Sequence, residues 1–183
     1  MQKIKNGSLL IAHPTMLDDT FFKTIILITH HNTDESIGLA INNPSKIKLH
    51  EIIDDLPKSD FPVYIGGPVS KNSIHYIHEL GNRIPNSIKI YEGLFFGGDF
   101  DIVKEMIWKK KINKNQIRFF AGYSGWEANQ LENELKESSW ILNQKNKKLC
   151  MKYSNQEIWG RILRKMEKKY AIWSNLPKDP SLN

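Results

Sequence analysis

Thr24-Ile25-Ile26-Leu27-Ile28-Thr29 is a β-branched and aliphatic run without a charge. A strand with one face in water alternates apolar and polar residues, whereas an unbroken run suits a strand covered on both faces. The rest of the chain must therefore supply neighbouring strands and two covering layers. Ser8 to Ala12, bounded by Gly7 and Pro14, reads as one strand. Asn32-Thr33-Asp34-Glu35 is turn sequence, and Ile37 to Ile41 follows as a hairpin partner. Phe61 to Ile65 is another strand, stopped by Gly66-Gly67-Pro68. Ile74, Tyr76 and Leu80 lie in a further strand-like stretch, residues 84–96 hold one or two more, and Ile117 to Tyr123 completes the set.

Helical spacing supplies the covers. Leu49, Ile52, Ile53 and Leu56 fall on one face of a short helix ended by Pro57. Asp99 opens a helix to about Lys110, with Ile102, Val103, Met106 and Ile107 inward. A third helix is predicted from about Gly125 to Lys136, followed by the apolar Trp140-Ile141-Leu142. A last one runs near Asn155 to Tyr170, with Ile158, Trp159, Ile162, Leu163 and Met166 as its stripe. Strands in hairpin-like succession with helices inserted at intervals predict an α+β fold rather than a doubly wound parallel sheet.

A chain of 183 residues suits one domain. Its N-terminus has no apolar leader segment, and no apolar run is long enough to span a bilayer. The single cysteine, Cys150, fits a reducing compartment. The expectation is a cytoplasmic protein without a membrane partner. Residues 1–143 carry 16 Lys/Arg against 17 Asp/Glu, while residues 144–183 carry 10 against 3, so the whole excess of +6 lies in the tail. The chain divides on this basis into a core at 1–143 and a basic C-terminal helix and tail at 144–183, packed on the same domain. Such a tail can bind phosphate backbones non-specifically; a solvated helix face accounts for the same charges.

Gly122-Tyr123-Ser124-Gly125-Trp126 lies where a strand is predicted to meet a helix, the placement of a nucleophile elbow. Trp126, however, occupies the position of the second glycine in that motif. Ser124-x-x-Glu127 reads more simply as a capping box, a signature repeated by Ser154-x-x-Glu157. Gly122-x-x-Gly125 offers a weak anion cradle, opposed by Glu127. Gly97-Gly98 before Asp99 is opposed likewise by Asp99 and Asp101. In Gly66-Gly67-Pro68 two glycines permit close backbone approach and the proline fixes the exit. Of the six histidines, the pairs His30/His31 and His75/His78 have strand spacings that point their side chains to opposite faces, so neither pair chelates alone. Lysines 147, 148 and 152 flank Cys150 and could lower its pKa, but no partner histidine is placed beside it, and an inert buried thiol is the preferred reading. No catalytic residue, metal or cofactor is assigned. Tyr123 and Trp126 beside the Gly125 turn, with Gln130 and Glu134 four apart on the next helix, have the makings of a pocket.

Several motifs together resemble the YqgE/AlgH family. They are Ser8 to Pro14, Leu17-Asp18, Phe21, His31-Asn32, Gly38-Leu39 and Asn42-x-Pro44, then Val63 to Val69 with its Gly66-Gly67-Pro68. Phe96-Gly97-Gly98-Asp99 and Gly122 to Trp126, followed by Gln130-Leu131-Glu132 and Glu134-Leu135, continue the likeness in order. Asp19, Asn43, Ser124 and Asn129 depart from the family's usual residues; at Asn43 a basic residue is replaced, which removes the cation an anion site at that turn would use. The resemblance implies a bacterial cytosolic α+β protein with a bent, bifurcated, mostly antiparallel sheet folded into a pseudo-barrel with flanking helices. It also implies the transcriptional-regulator label attached to the family, although the core has no helix-turn-helix signature.

The candidate pocket gathers the motif residues Asn42, Pro44, Gly66, Gly67 and Pro68 with Gly98 and Asp99. From the second half come Gly122, Tyr123, Trp126, Gln130 and Glu134. The leading functional reading is a non-enzymatic regulatory or binding protein acting through a small ligand or a protein partner. The alternatives are a small-molecule enzyme that uses the glycine turns as a cradle, with Glu127, Glu134 or Asp99 in proton transfer, and nucleic-acid binding by the tail.

Overall fold

A computed structural model describes residues 3–16, 18–143, 146–152, 155 and 157–166. Its strands are β1 (Leu9–Ala12), β2 (Ile25–His31), β3 (Glu35–Ala40), β4 (Pro44–Lys48) and β5 (Pro62–Ile65). They continue with β6 (Val69–His78), β7 (Ile88–Tyr91), β8 (Leu94–Phe96), β9 (Ile117–Glu127) and β10 (Trp140–Asn143). The helices are α1 (Phe100–Trp108), α2 (Gln130–Lys136), α3 (Lys147–Lys152) and α4 (Glu157–Lys165). The fold is α+β, as the element pattern predicts.

The strands join in the order β10-β1-β2-β3-β9-β6-β8-β7, a path that does not close into a barrel, with β4 and β5 branching off it. Branching occurs on β9. Its first half pairs in parallel with β5 (Val63 opposite Phe119) and antiparallel with β6 (Tyr76 opposite Phe119). Its second half pairs antiparallel with β3, Gly38 opposite Ser124. The parallel β5–β9 pair apart, every pairing among the described residues is antiparallel.

The uncharged run at 24–29 is covered on both faces. Ile25 and Leu27 join Leu9, Ile11 and Leu39 in a core sealed by Leu149 of α3 and by Trp159 and Leu163 of α4. Ile26 and Ile28, on the opposite face, pack with Leu10, Ala40, Trp126, Leu131 of α2 and Trp140. Trp159 also donates from Nε1 to the Ala12 carbonyl (2.8 Å), tying α4 to the end of β1. A third cluster lies under α1, where Val103, Met106 and Ile107 meet Ile117, Phe119 and Tyr76. Asp99 caps that helix, its carboxylate accepting from the Asp101 and Ile102 N–H groups.

Four expectations from the sequence change. The stretch from Leu49 is a single 3-10 turn, Leu49–Glu51, and not a helix to Leu56; Leu49 and Leu56 are buried while Ile52 stands exposed. Pro57 disfavours helical backbone in the residue before it, and the chain continues in turns. Strand β4 is an addition, unsignalled because Pro-Ser-Lys-Ile-Lys lacks an apolar face; it is an outer branch that, among the described residues, pairs with β5 alone. The helix expected from Gly125 begins at Gln130, since β9 runs on to Glu127 to partner β3. Among the described residues the C-terminal region holds two helices, α3 and α4, where one is predicted. The part of the last helix predicted beyond residue 166, and the cap at Ser154, lie outside the described residues.

Candidate functional site

Ser124 lies within β9, so neither the capping box nor the nucleophile elbow exists. The serine is buried and its Oγ donates to the Gly66 carbonyl at 3.3 Å. The anion cradle at Gly122-x-x-Gly125 goes with them, because no helix starts there. Asn129 precedes α2 with left-handed backbone (φ +61°) and no capping side-chain bond.

The two glycine motifs do converge, as packing. A Cβ on Gly66 would stand 2.3 Å from the Gly122 carbonyl oxygen, and one on Gly67 2.2 Å from that of Tyr123. Gly122 itself has φ +67°. The chain entering β6 thus crosses the middle of β9 at a distance only glycine allows. This crossing leaves no space for a ligand between Gly66, Gly67 and Gly122.

Beside it lies a cleft of about 540 Å³. Pro68 and Val69 after the crossing form one wall, Gly125 and Trp126 of β9 another. Gln130, Glu134 and Glu137 come from α2 and its C-terminal end, Trp140 from β10, and Thr15, Met16, Asp18 and Phe21 from the loop between β1 and β2. The Glu134 carboxylate is held from three directions. Oε2 accepts from the indole N–H of Trp126 at 2.8 Å and of Trp140 at 2.7 Å. Oε1 accepts from the Gln130 amide at 2.9 Å. The indoles meet edge to face at 6.1 Å, and Phe21 packs edge to face on Trp140 at 5.5 Å. Both indoles are buried, so each N–H requires an acceptor, and one carboxylate serves both.

Of the predicted pocket residues, Pro68, Trp126, Gln130 and Glu134 line this cleft. Gly98 lines a second one of about 340 Å³ with Ile74, His75, Tyr76, Phe96, Gly97 and Phe100. Asp99 is engaged in capping α1. Tyr123 lies between the two clefts, its ring 5.4 Å from that of His75 and against Gly125. Asn42 is a structural residue in the core: its Oδ1 accepts from Ile25 N–H at 2.8 Å and its Nδ2 donates to the Lys23 carbonyl at 2.9 Å. Pro44 sits on β4, opposite Tyr64. Sequence pattern alone does not place Trp140 at the site, and it offers Asp18 and Phe21 only as family motifs; Trp140 stands in a run that looks purely apolar.

Away from the cleft, a charged side chain is sealed in the core. Arg118 of β9 donates to the Ile41 carbonyl (2.8 Å) and to the Cys150 carbonyl near the end of α3. Its guanidinium lies 4.0 Å from the Tyr64 ring centroid. Burial pushes the guanidinium pKa down from its ordinary value. Cys150 is fully buried and accepts from the Tyr91 hydroxyl (3.7 Å); burial pushes its thiol up to about 11, outweighing the lowering by the Tyr91 hydrogen bond and by Arg118. His78, also fully buried, accepts the Leu80 N–H at Nδ1, which leaves its proton on Nε2 facing the Gly97 carbonyl. Burial lowers its pKa. Among the described residues no three His, Cys, Asp or Glu gather as a metal-binding group. None of the described helices is long and apolar enough to cross a membrane.

Fold and cleft together define a class: α+β proteins with a branched sheet, the branch strand crossed at paired glycines, and a tryptophan-walled cleft beside the crossing. The chain belongs to the AlgH-like family DUF179, whose model matches residues 9–171 and so extends past the core motifs through α3 and α4. It is 37% identical over 181 residues to a UPF0301 protein of Chlorobium limicola, covering 99% of this chain and 97% of that one. It is 38% identical over 178 residues to the UPF0301 protein BF2109 of Bacteroides fragilis, with 97% and 90% covered. The fold is shared with the AlgH protein of Pseudomonas aeruginosa, known from a solution structure (TM-score 0.74, 23% identity, 98% of this chain and 100% of that one). It is also shared with protein DIP2367 of Corynebacterium diphtheriae (TM-score 0.77, 20% identity, 96% and 94%).

Proposed function

We propose that this chain is a non-enzymatic binding protein of the bacterial cytosol, with a regulatory role, that receives a small ligand or a partner's side chain in the cleft between β9, α2 and β10. The state of Glu134 carries this reading. A general base needs a lone pair directed at the substrate and the freedom to exchange a proton. Three N–H donors already occupy the Glu134 carboxylate, which makes it a fixed charge and a rigid wall. The serine in the suggestive glycine motif is buried with its hydroxyl engaged. A cleft of this volume, walled by aromatics and a few directed polar groups, suits recognition. Thermal-shift screening against a metabolite library, followed by turnover assays on each hit, tests the reading. Stabilisation without turnover is the expected result; turnover that is lost in Glu134→Gln overturns it.

Nucleic-acid binding keeps one supporting observation. Arg164 and Lys165 lie exposed on α4, Arg164 across the helix from the buried Ile158, Trp159 and Leu163 and Lys165 at the edge of that stripe. Fluorescence anisotropy on duplex DNA at two salt concentrations tests it: phosphate contacts predict a steep loss with salt, and salt-independent or absent binding removes the reading.

A further inference from the structure

The cleft's charge is one-sided. Asp18, Glu134 and Glu137 open into it, and among the described residues that line it there is no lysine, arginine or histidine. The donors that hold Glu134 are neutral: two indole N–H groups and an amide. Its negative charge is positioned but not neutralised. Hydrogen bonds from neutral N–H groups orient a carboxylate without supplying the opposite charge that a desolvated ion needs on closing a site. Besides neutral polar groups (Thr15, Ser138 and Ser139), the lining offers aromatic and thioether surface (Phe21, Trp126, Trp140 and Met16), which accepts the alkyl stem of a long cationic side chain and, at ring faces, the cation itself. Concave walls of low dielectric around like-signed charges focus the field and concentrate counter-ions.

From this geometry we infer that the cleft binds an organic cation, an alkylammonium or guanidinium group on an aliphatic stem, with Glu134 as its fixed counter-charge. The inference rests on the cleft being the binding site and names the chemistry of its occupant. Anions are excluded by the three carboxylates, and a neutral ligand would leave the Glu134 charge without compensation on closure. The same headgroup exists on free polyamines and on arginine or lysine side chains of a partner protein, so the test separates the two.

Isothermal titration and the indole N–H resonances of Trp126 and Trp140 should be followed during addition of putrescine and of an N-acetyl-Gly-Arg-Gly-amide peptide. Butanediol and the citrulline peptide serve as neutral matches. Expected are saturable shifts of both indole resonances by at least one of the cations and none by its neutral match, with binding that weakens as salt rises. Glu134→Gln retains an acceptor for the indoles but loses the charge, and should weaken binding by about tenfold or more. Glu92→Gln, which removes one charge outside the cleft, should leave it unchanged. Preference for putrescine identifies a free amine as the source, and preference for the arginine peptide a partner side chain. Equal binding of cation and neutral match, or affinity unaltered by Glu134→Gln, overturns the inference. Failure of all cations together with binding of a neutral or anionic molecule in the library screen overturns it while leaving the cleft as a binding site.

Discussion

Glu134 and Arg118 make an instructive pair. Each is a charged side chain held by directed hydrogen bonds, each is flanked by aromatic rings, and each lies beside or on β9. Arg118 is sealed: it donates to carbonyls of the β3–β4 connection and of α3, and its rings shut out water. Glu134 has the same quality of support on one side and a cleft on the other. A sealed charge serves the fold, because its hydrogen bonds join segments distant in sequence. A supported charge facing a cleft has an open direction, and that is where recognition can act.

The largest test of this contrast is Arg118→Met. It leaves the Ile41 and Cys150 carbonyls buried without their donor and should cost about 3–5 kcal/mol in chemical denaturation. The same variant should expose Cys150 to thiol reagents that the native protein resists at pH 8, since its thiol is buried and titrates at about 11. A small loss would mean that Arg118 is no more structural than Glu134. Next in size is Glu134→Ala, which strips the acceptor from two buried indoles and should cost about 2 kcal/mol. Third is acid. The unfolded chain protonates His78 near pH 6.5, and the folded chain only at lower pH, because burial depresses the folded value. Its contribution is therefore complete above roughly pH 6.5 and is lost as pH falls through the folded pKa. The melting temperature should drop between neutral pH and pH 5, and His78→Gln should flatten that drop. Smallest is Glu134→Gln, expected to cost under about 1 kcal/mol while removing cation binding; a stability loss equal to that of the alanine variant would place the charge, and not the acceptor, at the centre of the clamp.

The double-sided burial of β2 and the inward face of α1 are legible in the sequence because periodicity reports burial directly. Gln130 and Glu134 are legible as neighbours because four residues is about one helical turn. Ser124 misleads because Ser-x-x-Glu satisfies a capping pattern equally well inside a strand; the competing pull, the need of β3 for a partner, comes from residues far away in the chain. Pro44 to Lys48 carries strand backbone with no apolar signal, since an outer branch needs none. The role of Arg118 has no local signature: an arginine between Ile117 and Phe119 acquires its meaning from carbonyls at residues 41 and 150. Asn42 and Pro44 join the predicted pocket on motif resemblance alone, and motifs do not distinguish a residue that shapes a turn from one that meets a ligand.

The branched pairing of β9 has a consequence for the birth of the protein. Strands β3, β5 and β6 are all made before residue 117, and each lacks a neighbour until β9 follows. A nascent chain that stops short of residue 117 therefore carries three unsatisfied strand edges, the form most prone to stick to other chains. Neither the β1–β3 side nor the β5–β8 side can finish alone. Synthesis past β9 closes both together, so truncated chains ending before that strand should be recovered as aggregates and not as half-folded intermediates.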